Sequence, residues 1–188
     1  IVLTDTANLD TGIPSLTTSL RGLAGAMVEV RALRQPLHSG MWGGPVPDPV
    51  MALCRAIAEL TEPDGRPIAP LCEGLRPLSE AERRELDALP FEEGRFAQQA
   101  GLVEGAELVG NPEVPPLARI WREPSVTVIA LEASPIEGSS NQIVDSARAR
   151  ISVRTAPDQE PSRIQDALVA HFEERVPWGL ETTVTREA

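Results

Sequence analysis

A single histidine lies among small residues in the segment 37–44, which reads Leu-His-Ser-Gly-Met-Trp-Gly-Gly. An imidazole can donate, accept and titrate near neutral pH, and glycine lets the backbone come close to a ligand. The pattern therefore predicts a loop at the edge of a site, from which His38 can donate a hydrogen bond. From the residues alone, a loop histidine that only bonds a neighbouring carbonyl group is the more common alternative.

Three other polar residues lie next to or within predicted strands, and each also has an ordinary structural explanation. Asp5 comes after Ile-Val-Leu-Thr and is typical of a cap or a turn. Asn141 ends a Gly-Ser-Ser-Asn loop. Arg154 shares one face of an alternating segment with Arg148 and Arg150, as on a solvated sheet face. Chemically, a carboxylate can ligate zinc, and a guanidinium can hold a carboxylate by two parallel hydrogen bonds.

Apolar periodicity predicts the elements that must position these residues. Alternation indicates strands over Ala24 to Leu33 and Ser146 to Thr155, and β-branched residues indicate strands over Ser125 to Ala133 and Leu180 to Arg186. A short buried strand is predicted at Ile1 to Leu3. Helical spacing indicates one helix that begins at Asp48-Pro49, with Asp as the N-cap, and continues to about Thr61. It indicates a second helix over Pro161 to Arg175.

A long insertion, at about residues 62–121, separates the first helix from the second strand. Its first part is rich in Pro and Gly and predicts a loop, and a Ser-Glu-Ala-Glu capping box at 79–82 predicts a short polar helix. Residues 91–102 predict another helix. Without the insertion, the order of elements is the split β-α-β pattern. We therefore predict an α+β fold, a ferredoxin-like two-layer sandwich in which a four-stranded antiparallel sheet carries two helices on one face.

Charge and composition exclude several classes of partner. The chain has 188 residues, and 17 basic against 28 acidic residues give a net charge of −11. This balance argues against nucleic acid or an anionic membrane as a partner, and no apolar stretch reaches transmembrane length. Cys54 and Cys72 lack metal-ligand spacing. We expect Cys54 to be a buried free thiol on the apolar face of its helix, and a disulfide with Cys72 stays open.

Three features together resemble the lid, or dimerisation, domain of M20-family zinc metallopeptidases. They are the segment 37–44, the helix start at Asp48-Pro49, and Ser-Leu-Arg-Gly at 19–22. The long insertion is similar to that of the dipeptidase, carnosinase-like branch. The resemblance implies that His38 reaches across a dimer and stabilises the oxyanion in the partner's active site. It also implies that Arg154 holds the substrate carboxylate and that Asn141 helps to position the substrate. Asp5 would be one carboxylate ligand of zinc.

On this resemblance, residues 1–18 are an edge of the catalytic domain with a connector, and residues 19–188 are the lid. Ile1 would be internal to a longer cytoplasmic enzyme, whose catalytic domain holds two zinc ions, or manganese. Asp5 alone would bind no metal tightly, so we expect the isolated chain to be inactive. The implied partners are a second lid in a homodimer and a dipeptide or small amide substrate. The alternatives are a stand-alone ferredoxin-like dimerisation or binding module and the lid of another M20 amidohydrolase, a deacylase or desuccinylase.

Overall fold

The computed structural model describes residues 12–17 and 19–187, and its centre is an antiparallel sheet. The strands are β1 (Gly22–Arg31), β2 (Leu37–His38), β3 (Ser125–Glu132), β4 (Gln142–Ile143), β5 (Ser146–Thr155) and β6 (Glu181–Glu187). Four of them form the main sheet in the order β3-β5-β1-β6, and every neighbouring pair is antiparallel. The strands β5 and β6 follow each other along the chain, but in the sheet they lie on either side of β1, as the ferredoxin-like prediction requires. The predicted fold class is confirmed.

Alternation along β1 and β5 builds one apolar face of the sheet. The buried residues on these strands are small or β-branched: Ala24, Ala26, Val28, Val30, Ala147, Ala149, Ile151 and Val153. Short alanine side chains allow the covering helices to approach the sheet closely, and the branched residues fill the space between them. Two helices cover this face, α2 (Pro49–Ala58) and α6 (Pro161–Arg175), and the last of these contributes the fully buried Ile164, Leu168 and Phe172.

The start of α2 follows from its first residues. Asp48 is the N-cap, and its carboxylate Oδ1 accepts hydrogen bonds from the backbone N–H of Val50 at 2.8 Å and of Met51 at 3.3 Å. Pro49 occupies the first helical position, where its lack of an N–H group has no consequence. The predicted helix start is therefore confirmed, and the cap directs the chain out of the preceding glycine loop.

The helix face differs from the prediction at one residue. The buried side of α2 consists of Pro49, Ala52, Leu53 and Ala56, and Leu60 continues it. Cys54 lies on the exposed side, so its prediction as a buried thiol was wrong. Both cysteines are free thiols. Cys54 faces outward because Ala52 and Ala56, which are small, pack against the alanine-rich sheet and so determine which side of α2 is buried.

The insertion consists of short helices joined by loops. They are a 3₁₀ turn at Ala69–Cys72, α3 (Glu80–Asp87), α4 (Glu93–Ala100) and α5 (Pro116–Arg122), with α1 (Ser39–Trp42) preceding them in the histidine loop. The capping box is present at Ser79 and Glu82. No residue of α3 or α4 is buried, whereas α5, which the sequence did not predict, buries Leu117 and Ala118.

Polar contacts tie this insertion to the turn between β5 and α6. The buried amide of Gln159 donates to the carbonyl oxygens of Leu71 and Glu73, at 3.0 Å each. Arg122 forms an ion pair with Asp158 at 3.0 Å. These contacts anchor the two ends of the insertion next to the end of β5.

The strand β1 begins at Gly22 and ends at Arg31, in each case two residues before the predicted bounds, Ala24 and Leu33. The predicted strand at Ile1 to Leu3 lies outside the described residues, and the division of the chain at residue 18 stays a prediction. Within residues 12–17 and 19–187, no helix is long and apolar enough to cross a membrane.

Candidate functional site

The structure brings His38 and Asn141 together, although about a hundred residues separate them in sequence. The two-residue strands β2 and β4 pair so that His38 lies opposite Gln142, and the backbone N–H of Ser39 donates to the Asn141 carbonyl oxygen at 2.9 Å. The backbone N–H of Ala32 donates to Asp145 O at 2.9 Å, so this small ladder continues the β1–β5 pairing beyond the main sheet. Both predicted site residues therefore lie on one projection of the sheet.

An ion-pair cluster holds the base of this projection. Arg31 pairs with Glu29 at 3.0 Å and with Asp145 at 2.7 Å. Hydrogen bonds, to Glu29 first and then to Asp145, raise the pKa of Arg31 above its ordinary value. Because Asp145 also accepts the two backbone N–H groups of residues 32 and 33, the cluster fixes where the histidine loop leaves the sheet.

The histidine ring is exposed, and it makes one hydrogen bond within the part of the chain that the structure describes. The backbone N–H of Gly40 donates to Nδ1 of His38 at 3.1 Å. An Nδ1 that accepts a hydrogen bond carries no proton, so in the neutral ring the proton is on Nε2. The loop therefore exposes an N–H donor, at Nε2 of the neutral ring, to an acceptor outside the domain.

The open face of the sheet distinguishes the three arginines of β5. Arg148 pairs with Glu132 at 2.9 Å, and Arg150 pairs with Glu187 at 2.9 Å. Arg154 is exposed and has no carboxylate within ion-pair distance among the residues that the structure describes. It is thus the arginine of this strand that is available to an external anion.

A second cation lies beside Arg154. Arg154 is aligned with Ser125 of β3 and with Leu23 of β1, and a guanidinium N–H of Arg21 donates to the Ser125 hydroxyl at 3.4 Å. Partial burial, and then the charge of Arg154, lower the pKa of Arg21. Two neighbouring guanidinium groups repel each other, so this end of the sheet attracts an anion.

The two predicted halves of the site lie at opposite ends of the sheet. Ser146 is next to the histidine projection, and Arg154 is eight residues further along β5, a distance of about 26 Å for an extended strand. The Arg154 end is also the end where the chain enters the sheet, at Gly22, and leaves it, at Glu187. A dipeptide spans only about 7 Å, much less than the length of β5 between Ser146 and Arg154.

The predicted metal ligand Asp5 lies outside the described residues. Across residues 12–17 and 19–187, no group of three or more His, Cys, Asp or Glu side chains is arranged to hold a metal ion. A cavity of about 290 Å³ opens between the insertion and β3, beside Arg21, Arg119 and Glu123. Burial raises the pKa of Glu123, although Arg119 and Arg66 oppose the shift. Neither His38 nor Arg154 lines this cavity.

Comparison with known proteins identifies the family. A family model described as a peptidase dimerisation domain, of the M20 type, matches residues 18–180. This chain belongs to the M20 peptidase dimerisation domains. The prediction made from the histidine loop, the Asp48-Pro49 helix start and the Ser-Leu-Arg-Gly motif is therefore confirmed at the level of the family.

Two relatives and one solved structure show how far the similarity of this dimerisation domain extends. It is 31% identical over 185 residues to the cysteinylglycine-S-conjugate dipeptidase of Corynebacterium striatum. The matched region covers 98% of this chain and 39% of that protein. It is 26% identical over 175 residues to the beta-Ala-His dipeptidase of Rattus norvegicus, covering 92% of this chain and 35% of the relative. The M20 family metallo-carboxypeptidase of Sulfolobus solfataricus has the same fold, with a TM-score of 0.77 at 20% identity over 95% of this chain and 46% of that one. The chain spans little more than a third of the length of these curated relatives.

Two further candidate site residues of the dimerisation domain, Arg21 and Gly40, were not predicted from the sequence. Arg21 appeared only as part of the motif at 19–22, and its position beside Arg154 depends on the pairing of β1 with β5. Gly40 appeared only as one of several loop glycines, and its bond to the imidazole depends on the tight turn of α1.

Proposed function

We propose that this chain is the lid of an M20 dipeptidase, in which each active site combines Arg154 of one subunit with His38 and Asn141 of its partner. The observation that carries the proposal is that these residues lie at opposite ends of the sheet: Arg154 is about 26 Å along β5 from Ser146, which is next to the histidine projection. Because the chain enters and leaves the sheet at the Arg154 end, a catalytic domain in the rest of the polypeptide would adjoin Arg154. His38 would then be too far away to act in its own subunit.

The exposed edge of β3 is the surface through which two lids would associate. It is an edge strand of the main sheet, and three of its apolar side chains are about half exposed: Val128, Ile129 and Leu131. The only charged residue of β3 is Glu132, whereas the opposite edge strand, β6, carries Glu181, Arg186 and Glu187. Charged residues protect an edge from pairing, and an apolar edge favours it. These features support pairing of β3 with β3 of a second copy.

Two-fold symmetry would bring the separated halves together. A two-fold axis perpendicular to the sheet makes two copies of the same edge strand pair in antiparallel orientation. The Ser125 end of β3 is aligned with Arg154, and the Glu132 end is aligned with Arg148, towards the histidine projection. Antiparallel pairing would therefore set the Arg154 end of one lid beside the histidine end of its partner. This arrangement agrees with a site that is shared between subunits.

In this composite site, His38 would stabilise charge that develops during the reaction. Its Nε2–H would donate to the oxygen of the scissile carbonyl as negative charge forms there, and a donor of this kind is typically worth about 10²–10³ in kcat. When the ring is neutral, the bond from Gly40 to Nδ1 puts the proton on Nε2, which suits a donor. Asn141 would contact the substrate from the same projection, since its backbone is bonded to Ser39.

Arg154 would hold the C-terminal carboxylate of the substrate. A guanidinium matches a carboxylate with two parallel hydrogen bonds, and the lack of a carboxylate partner among the described residues leaves that fork available. Arg21 would add positive potential beside Arg154, while one of its guanidinium N–H groups donates to the Ser125 hydroxyl. The substrate class that this geometry favours is a dipeptide with a free C-terminus, in agreement with the names of the dipeptidase relatives.

Zinc, or manganese, would be held by the catalytic domain. The described residues offer no cluster that fits a metal ion, and Asp5 stays a proposed carboxylate ligand at the edge of that domain. In the intact enzyme the metal would supply a nucleophilic water. The contribution of this chain would be to orient the substrate, donate to the oxyanion and join the subunits.

Measuring the mass of the chain in solution and replacing His38 test the proposal separately. We expect light scattering to give about twice the 20.2 kDa of one chain, and a monomer at all concentrations would contradict pairing through β3. In the longer polypeptide, His38→Ala should lower kcat more than it raises KM, because the donor acts mainly in the transition state. If this variant keeps full activity, the chain is a dimerisation module without a catalytic role.

A further inference from the structure

We infer that Gly40 is a positioning residue for His38: its backbone N–H selects the Nε2–H tautomer, and its lack of a side chain leaves room for the ring. This inference rests on the proposed function for its consequence, but its structural content stands apart from catalysis. The position of the proton on the His38 imidazole can be observed directly in this chain.

The tautomer follows from the direction of one hydrogen bond. A backbone amide is only a donor, so the ring nitrogen that it meets at 3.1 Å must be an acceptor. Nδ1 is that nitrogen, and the proton of the neutral ring is then on Nε2, on the far side from the backbone. A proton on Nδ1 would oppose the Gly40 N–H and would turn Nε2 into an acceptor. Such a ring could not donate to an oxyanion through Nε2.

The imidazole also lies too close to position 40 for a side chain there. A Cβ atom built at position 40 would lie 2.9 Å from Cε1 and 3.2 Å from Nδ1 of His38. The first of these distances is below any normal contact between a Cβ and a ring carbon, so the imidazole would have to rotate away. The ring atoms are the contacts that such a Cβ would meet within 4 Å. A Cβ atom at position 40 therefore requires the exposed histidine ring to shift.

The backbone at position 40 does not itself need glycine. Gly40 has a negative φ in the first turn of α1, unlike Gly44, whose φ is +104°. An alanine at position 40 is thus compatible with the local fold, and it is a better helix former than glycine. The explanation for glycine here is the adjacent imidazole, and Gly40→Ala is a clean perturbation of the ring.

Nuclear magnetic resonance of the imidazole nitrogens tests the inference in the chain as it stands. The chain has two histidines, and the second is an internal reference. Nε2 of the buried His171 lies 2.8 Å from the carbonyl oxygen of Ala56 and must carry the proton to donate to it. At a pH at which both rings are neutral, long-range proton–nitrogen spectra should show an unprotonated Nδ1 in both residues.

The variant and its control give the deciding comparison. In Gly40→Ala, the Nδ1 signal of His38 should move towards the protonated position as the ring leaves the amide, while the signals of His171 stay unchanged. Ser39→Ala, a change of similar size at the preceding residue, should leave both histidines as in the wild type. A wild-type His38 with its proton on Nδ1 would overturn the inference, and so would an unchanged His38 spectrum in Gly40→Ala.

Kinetics of the longer polypeptide separates this inference from the proposed function. If both are right, Gly40→Ala should lower kcat at least tenfold with a smaller change in KM, and Ser39→Ala should stay near wild type. If the spectra are as expected but His38→Ala keeps full kcat, the proposed function is wrong and the tautomer assignment stands. If His38→Ala lowers kcat but Gly40→Ala does not, the role of Gly40 is refuted while that of His38 survives.

Discussion

Splitting two substitutions between the subunits of one dimer tests whether the active site is shared. One subunit carries His38→Ala and the other carries Arg154→Ala, and different affinity tags allow the heterodimer of the longer polypeptide to be isolated. If each site takes His38 from one subunit and Arg154 from the other, one of the two sites receives both intact residues. The second site receives neither. We therefore expect about half of the wild-type activity per dimer.

The expected contrast is large, because each homodimer is severely impaired. Loss of an oxyanion donor costs about 10²–10³ in kcat, and truncation of a charged hydrogen-bonded partner costs about 2–5 kcal/mol, which is more than tenfold in kcat/KM. The split heterodimer should thus be at least ten times more active than the less impaired of the two homodimers. The structural basis is the comparison of about 26 Å along β5 with about 7 Å for a dipeptide.

A matched control contains the same two substitutions in a different arrangement. Both are placed in one subunit, which is paired with a wild-type partner. In a shared site, each of the two sites then lacks one residue, and activity should fall close to that of the homodimeric variants. If His38 and Arg154 instead act within one subunit, the outcomes reverse: the split heterodimer is inactive and the matched control keeps half of the activity. That reversal would refute the reasoning from the sheet.

Four further outcomes are expected. Arg154→Ala should impair hydrolysis of a free-acid dipeptide at least tenfold but spare its C-terminal amide, whereas Arg150→Ala should affect neither; equal losses on both substrates in the first variant would make Arg154 structural. Ile129→Arg should convert a dimeric chain to a monomer in light scattering, and a persistent dimer would exclude the β3 edge. Hydrogen bonds from Arg76 and then from Ser79 hold the pKa of Glu82 far below its ordinary value. The ionised Glu82 carboxylate therefore stabilises the fold above about pH 4, and this stabilisation disappears as the pH falls. Thermal scans should show that Glu82→Gln is less stable than wild type at pH 7, with a difference that shrinks in acid. Phe172→Ala should lower the free energy of unfolding by about 3–5 kcal/mol in urea titrations, because the ring is fully buried between α6 and the sheet.

Local periodicity was sufficient to predict most of the fold. The alternation in β1 and β5 and the helical spacing in α6 reflect which side chains must leave water, and the capping residues Asp48 and Ser79 reflect backbone N–H groups that must find acceptors. These requirements are satisfied within a few residues, so the sequence expresses them directly. The helix α5 escaped prediction because it is short and depends on the burial of Leu117 and Ala118 against the rest of the domain.

The site depended on contacts between distant parts of the chain. Sequence pattern together with family resemblance selected His38, Asn141 and Arg154, but alternation alone gave Arg154 no advantage over Arg148 and Arg150. The difference arises because Glu132 and Glu187, which belong to other strands, neutralise those two neighbours.

What the sequence by itself determined is therefore most of the long helices and strands, and the family. What the tertiary structure decided is the register of the strands: it brought Asn141 to His38, put Arg21 beside Arg154 and separated these two groups along β5. It also turned Cys54 outward, because the face of a helix is chosen by the surface it packs against. Hydrogen-bond register and packing orientation are properties of pairs of segments, and neither segment specifies them alone.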